Sequence, residues 1–135
     1  MELVDFLRAR LDEDEALARE APQGPWQIGN AVDPTQPCGV YTFPGVRLVA
    51  DGLNWLVAEH IAHQNPARVL ADVEAKRALL DRYEAHHWHG PAAPTSPDPR
   101  DHAEETGACR TCITARILAR VYRDHPDFNP AWLED

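Results

Sequence analysis

Apolar residues recur at helical spacing over residues 2–20. Leu3, Phe6, Leu7, Leu11, Leu17 and Ala18 fall on one arc at about 100° per residue, which predicts a helix with that arc turned inward. Pro22 disfavours helical geometry at Ala21 and sets its end. The pattern then changes. Gly39–Phe43 and Val46–Ala50 are rich in β-branched and aromatic residues, and Pro44-Gly45 between them is a turn dipeptide, so the two runs predict a hairpin. A hairpin alone is marginal in water; Trp26–Val32 predicts the third strand that supports it. Helical spacing returns at 53–63, with Leu53, Leu56, Val57 and Ile61 as the apolar side. Asn65-Pro66 pairs a preferred N-cap with a preferred first helical residue. A longer helix is therefore expected from Pro66 to about His89, with Val69, Leu70, Val73, Leu80 and Tyr83 as its core face and Gly90-Pro91 as its stop. Residues 90–108 carry no periodicity and read as loop. The last helix is expected from near Cys109–Thr111 to about Asp124, with Ile113, Ile117, Leu118 and Val121 inward. Phe128, Trp132 and Leu133 give the tail enough apolar surface to dock. The expected class is α+β: a mostly helical single domain over 1–135 with a small three-stranded antiparallel sheet.

Composition narrows the function classes. A length of 135 residues is about one domain, and 44% apolar residues suffice for one modest core. Lys and Arg number 13 against 22 Asp and Glu, a net charge of −9. That balance argues against a non-specific nucleic-acid binder, which places cations on phosphates. No apolar run approaches the roughly 18 residues a membrane span needs. MELVDFLRAR has no basic segment followed by an apolar stretch, so a cytoplasmic, reducing location is expected.

In a reducing compartment a C-x-x-C is more often a metal or redox element than a structural disulfide. Here His86-x-x-His89 precedes nineteen residues of loop and then Cys109-x-x-Cys112. Histidines at i and i+3 share a helix face, and a C-x-x-C leading into a helix presents two thiolates to one point. Two nitrogens and two sulfurs suit tetrahedral zinc. The spacing mirrors the paired C-x-x-C zinc pattern with one pair replaced by histidines. His86, His89, Cys109 and Cys112 are thus the expected ligands of a structural zinc, with His87 or His102 able to replace one histidine. Such a clip would hold the last helix against the long one, and zinc affinity would become folding energy. The competing readings are a metal-free pair of reduced thiols and a disulfide or redox pair.

Other groups have plainer readings. His60 and His63 form a second pair at i and i+3 beside Glu59, but without the H-E-x-x-H order that gives a zincin its base. Asp72, Glu74, Lys76 and Arg77 read as a solvated helix face. Arg116, Arg120 and Arg123 form a basic stripe that pairs on the surface or docks an acidic partner. Asp12–Glu15 reads as a solvated face or as an acidic patch for a basic protein. Cys38 reads as a buried small hydrophobe. No G-x-S-x-G, phosphate-binding loop or dinucleotide fingerprint is present.

Several blocks resemble one family of small actinobacterial and actinophage proteins, a domain of unknown function. Its N-terminal FL-x-ARLDEDE helix is matched by Phe6–Glu15, and its Trp and short hairpin by Trp26 and GVYTFPGVRLVADG. Its HIA-x-x-DPARVL-x-EV-x-AKR block is matched within residues 59–81, and its C-x-T-x-R-x-LA-x-x-Y-x-DHPDY-x-x-x-W end by Cys112–Phe128 and Trp132. The chain departs from the pattern at Asn65, where Asp is commoner, and at Phe128, where Tyr is. The resemblance implies organisation and origin; it brings no reaction with it. The expected function is a non-enzymatic accessory or interaction protein with a structural zinc, a protein partner, no nucleic acid or membrane, and a monomeric or small homo-oligomeric state. The alternatives are a small metal-dependent hydrolase using His60 and His63 or an open Cys/His metal site, and an acidic regulator or DNA mimic occupying a basic protein.

Overall fold

The computed structural model describes residues 1–29, 35–86 and 110–133; the side chains of 83–86 and 110–112 are not described. The fold is α+β, mostly helical, with a small three-stranded antiparallel sheet. The elements are α1 (Leu3–Glu20), β1 (Trp26–Gly29), β2 (Cys38–Thr42), β3 (Leu48–Leu53), α2 (Trp55–His63), α3 (Pro66–His86) and α4 (Arg110–Ala119). Two 3₁₀ turns follow, Arg120–Tyr122 and Pro130–Leu133. The chain forms two compact units: Asp12–Glu74, and Met1–Leu11 with Ala75–Asp135. No described helix is long and apolar enough to cross a membrane.

The unit Asp12–Glu74 is built on the sheet. β2 is central, antiparallel to β1 and β3. Gly29 lies opposite Gly39, and the Tyr41 ring lies over both, so a Cβ at Gly29 would collide with that ring. Glycine is required there for a close approach. Between the pairs Cys38–Leu53 and Val40–Ala50, β3 advances one residue more than β2. Gly52 takes φ +68° in that bulge, and the Asp51 carboxylate accepts its N–H at 2.8 Å. Thr42, buried at the hairpin end, donates its hydroxyl to Gly45 O (3.0 Å) and accepts from Arg47 N (3.1 Å). The second strand therefore runs Leu48–Leu53, later than the expected Val46–Ala50, and takes Leu53 away from the helix. β1 covers Trp26–Gly29 of the expected third strand; residues 30–34 lie outside the described residues.

α2 begins after Asn54, whose side chain accepts from Leu56 N at 2.9 Å. It lies against β1 and β2. The core here is Cys38, Val40 and Ala58, with Trp26, Ile28, Val49, Leu53, Trp55, Ile61 and Ala62 packed around it. The expected apolar side holds only in part: Leu53 and Ile61 pack on the core, but Leu56 is 73% exposed and Val57 is exposed, while Ala58 is fully buried. Trp55, Ala58, Ile61 and Ala62 form their own helical row. The small Ala58 lets the helix approach the sheet, and Trp55 and Ile61 flank it. Ala58→Leu is accordingly expected to cost about 1–3 kcal/mol through overpacking. Leu56→Ser, at an exposed position, should stay within about 0.5 kcal/mol. Urea unfolding of the two variants checks the assignment, and the reverse order would refute it.

α3 starts as expected: the Asn65 side chain accepts from Arg68 N at 3.2 Å and donates to Ala62 O at 3.2 Å. Val73 and Leu80 are buried, and Val69 and Leu70 half-buried; Tyr83 falls among the undescribed side chains.

The unit formed by Met1–Leu11 and Ala75–Asp135 buries Phe6, Leu7, Leu11, Leu80, Ala115 and Ala119. In α1 the expected face holds for Phe6, Leu7, Leu11 and Ala18, whereas Leu17 is exposed. Periodicity fixes the direction of a side chain and leaves open whether anything covers it. α4 ends at Ala119 and tightens into 3₁₀ geometry, short of the expected Asp124. Its expected face is mostly overturned: Leu118 is half-buried, but Ile113, Ile117 and Val121 are exposed, while Ala115 and Ala119 are buried. As in α2, the alanines occupy the close-packed side. The Pro130–Leu133 turn lies against α4, and the tail docks through Phe128 and Trp132, with Leu133 left exposed.

Candidate functional site

Of the expected zinc ligands, His86 lies within the described part of α3 and Cys112 within that of α4. The side chains of His86 and Cys112, and the whole of His89 and Cys109, lie outside the described residues, as do His87 and His102. Among the described residues no group of three His, Cys, Asp or Glu side chains is placed to hold a metal ion. His60 and His63 are both exposed on α2, with Glu59 exposed beside them. Cys38 is buried in β2 and its thiol donates to Leu53 O at 3.4 Å, which fits a small core residue.

The densest constellation was not anticipated from sequence. Arg10 sits on the inward arc of α1 and is 6% exposed. Its Nη1 lies 2.6 Å from His125 Nδ1 and also touches His125 Nε2. Asp127 Oδ2 is 3.8 Å from the same nitrogen. The guanidinium carbon stands 5.3 Å over the Phe6 ring centroid, within cation–π range. Asp127 N–H donates to His125 Nδ1 at 3.1 Å. Phe6 is surrounded by aromatic rings: Trp132 at 4.9 Å, His125 at 5.8 Å, Phe128 at 5.9 Å and Tyr122 at 6.3 Å between centroids.

Local chain geometry places these groups. His125 N–H donates to Tyr122 O and Phe128 N–H to His125 O, both at 2.9 Å. These two turns fold the segment after α4 back so that His125 and Phe128 meet the same face of α1. Asn129 accepts from Ala131 N at 3.0 Å and starts the closing 3₁₀ turn that carries Trp132. The arrangement fastens the tail onto α1 through apolar contact around a desolvated cation. The signal for it was in the sequence: in a helical projection Arg10 falls between Phe6 and Leu3, inside the apolar arc. A charged residue on that arc needs a partner when buried.

Charged surfaces differ partly from expectation. Asp72 and Glu74 are exposed, but Lys76 and Arg77 are half-buried, and Lys76 Nζ stands 5.9 Å over the Tyr122 ring. Lys76 is thus a packing residue as well as a charge. In the acidic run, Asp12 and Glu13 are exposed and Glu15 pairs with Arg19 at 2.6 Å. Arg8 and Asp81 form an exposed ion pair at 3.8 Å between α1 and α3, of the kind worth about 0–1 kcal/mol.

No curated protein and no solved structure matches the chain. The model of a family of unknown function, DUF6221, matches residues 1–134, and the chain belongs to that family.

Proposed function

We propose that this chain is a non-enzymatic accessory protein that binds another protein and is fastened by a structural zinc. One observation carries the interaction: Ala58 of α2 and Ala115 and Ala119 of α4 are buried, while Leu56 and Val57 of α2 and Ile113 and Ile117 of α4 face solvent. Large aliphatic groups left outward in rows, rather than scattered singly, mark surfaces that a partner covers. In-cell photo-crosslinking tests this in cells that naturally express the protein. A photoreactive residue at Leu56 or Ile113 should give discrete heteromeric products, and one at the exposed polar position Glu20 should not. Equal, diffuse labelling from all three positions would overturn the reading.

The zinc belongs to His86, His89, Cys109 and Cys112. What supports it is the sequence spacing: a His-x-x-His pair and a Cys-x-x-Cys pair bracket nineteen residues and together offer two nitrogens and two sulfurs, a set suited to tetrahedral zinc. A closed set of four protein ligands gives folding energy rather than chemistry. Purified protein should contain about one zinc per chain, and chelation should lower its melting midpoint clearly. Metal-free protein with an unchanged melt would remove the clip. The motif resemblance supports an actinobacterial or actinophage origin.

A further inference from the structure

Asp51-Gly52 is the only Asp-Gly step in the chain, and no Asn-Gly step occurs. It lies in β3, at one end of the strand order β1-β2-β3. Ala50 pairs with Val40 and Leu53 with Cys38, so Asp51 and Gly52 fall between two rungs of the ladder. Both residues are exposed. Gly52 N–H donates to Asp51 Oδ1 at 2.8 Å. The Asp51 carboxyl carbon is bonded to that oxygen, so a backbone nitrogen and the carbon it can attack are held close together. Gly52 takes φ +68°, and a Cβ built there would meet no atom within 4 Å. The glycine thus leaves open an approach that a side chain at 52 would crowd.

We propose that the β3 bulge is a site of spontaneous covalent modification, at which Asp51 isomerises to isoaspartate in the folded chain. With the side chain in its acid form, Gly52 N bonds to Asp51 Cγ and the Cγ–OH bond breaks. The hydroxyl and the amide proton leave as water, and a five-membered succinimide remains. Solvent water, the sole co-reactant, then opens the ring. Addition at Cγ restores aspartate. Addition at the main-chain carbonyl of Asp51 breaks its bond to Gly52 N and leaves the chain running through the side chain, with the mass unchanged. The product gains one methylene in the main chain and an α-carboxylate, both between the two rungs. Leu53, the next residue, packs on the sheet core and its carbonyl accepts from the Cys38 thiol, so the change falls directly beside that core. A regular ladder position would resist the reaction, because its paired amides hold the strand extended.

The test ages the full chain in warm neutral buffer beside a synthetic peptide of residues 46–56. Peptide mapping with electron-transfer fragmentation, which cleaves isoaspartate distinctively, reads the rate at each aspartate. Isoaspartate at Asp51 should form in the folded chain at a rate that matches or exceeds the peptide's. It should form at least about tenfold faster than at Asp127, which precedes Phe128. Asp51→Glu keeps the carboxylate but needs a larger ring, and should lose the signal at 51 with an unchanged circular-dichroism melt. Asp51→Asn passes through the same ring by releasing ammonia, and should convert measurably by mass in the folded chain. A folded chain slower than the peptide would overturn the proposal, because the bulge would then protect the step. A rate at Asp51 no higher than at Asp127, or an Asp51→Asn chain whose mass stays constant, would overturn it as well.

Discussion

Phe6→Ala should lower the unfolding free energy by about 3–5 kcal/mol, the range for emptying a buried aromatic site. Phe6 is fully buried, and its ring meets Tyr122, His125, Phe128 and Trp132. One truncation therefore removes the surface on which the tail sits, along with the ring face under Arg10. The local readout is hydrogen exchange at the amides of His125, Phe128 and Trp132, which donate within the tail. Their protection should fall more than that of amides in the middle of α3. Phe6→Leu keeps much of the volume and should lose well under half as much. A cost below about 1 kcal/mol for Phe6→Ala would mean that the ring cluster does not hold the tail.

Arg10→Ala should cost about 2–4 kcal/mol, combining a charge-assisted hydrogen bond with the packing of the buried stem. Arg10→Met separates the two contributions. Methionine keeps most of the stem contact over Phe6 and removes a cation that must be desolvated, so it should lie within about 1 kcal/mol of the parent. Asp127→Asn should matter little, because Asp127 is 57% exposed and its oxygen stands 3.8 Å from the guanidinium. Urea midpoints of the three variants decide the matter. If Arg10→Met were as damaging as Arg10→Ala, the hydrogen bond to His125 would be the dominant element.

The two substitutions explain why the tail's docking was legible while its anchor was not. Phe128, Trp132 and Leu133 in twelve residues signal apolar surface in need of cover, and the first two find it. Sequence spacing carries no information on which distant helix supplies that cover. It therefore missed Arg10, His125 and Asp127, which meet across more than a hundred residues of chain. Periodicity did locate α1, α2, α3 and α4 to within a few residues at most described ends, because the spacing of apolar groups and the capping residue Asn65 are local properties.

What the sequence determined by itself is the order and kind of the elements, the hairpin around Pro44-Gly45 and the stop-and-start at Asn65-Pro66, all set by backbone preferences acting within a few residues. What only the tertiary structure decided is which side of α2 and α4 faces inward. Hydrophobicity alone favours Leu56, Ile113 and Ile117, yet the close approach of packed elements selects Ala58, Ala115 and Ala119. Burial depends on shape and separation as well as on apolarity, and separation is a property of the assembled chain.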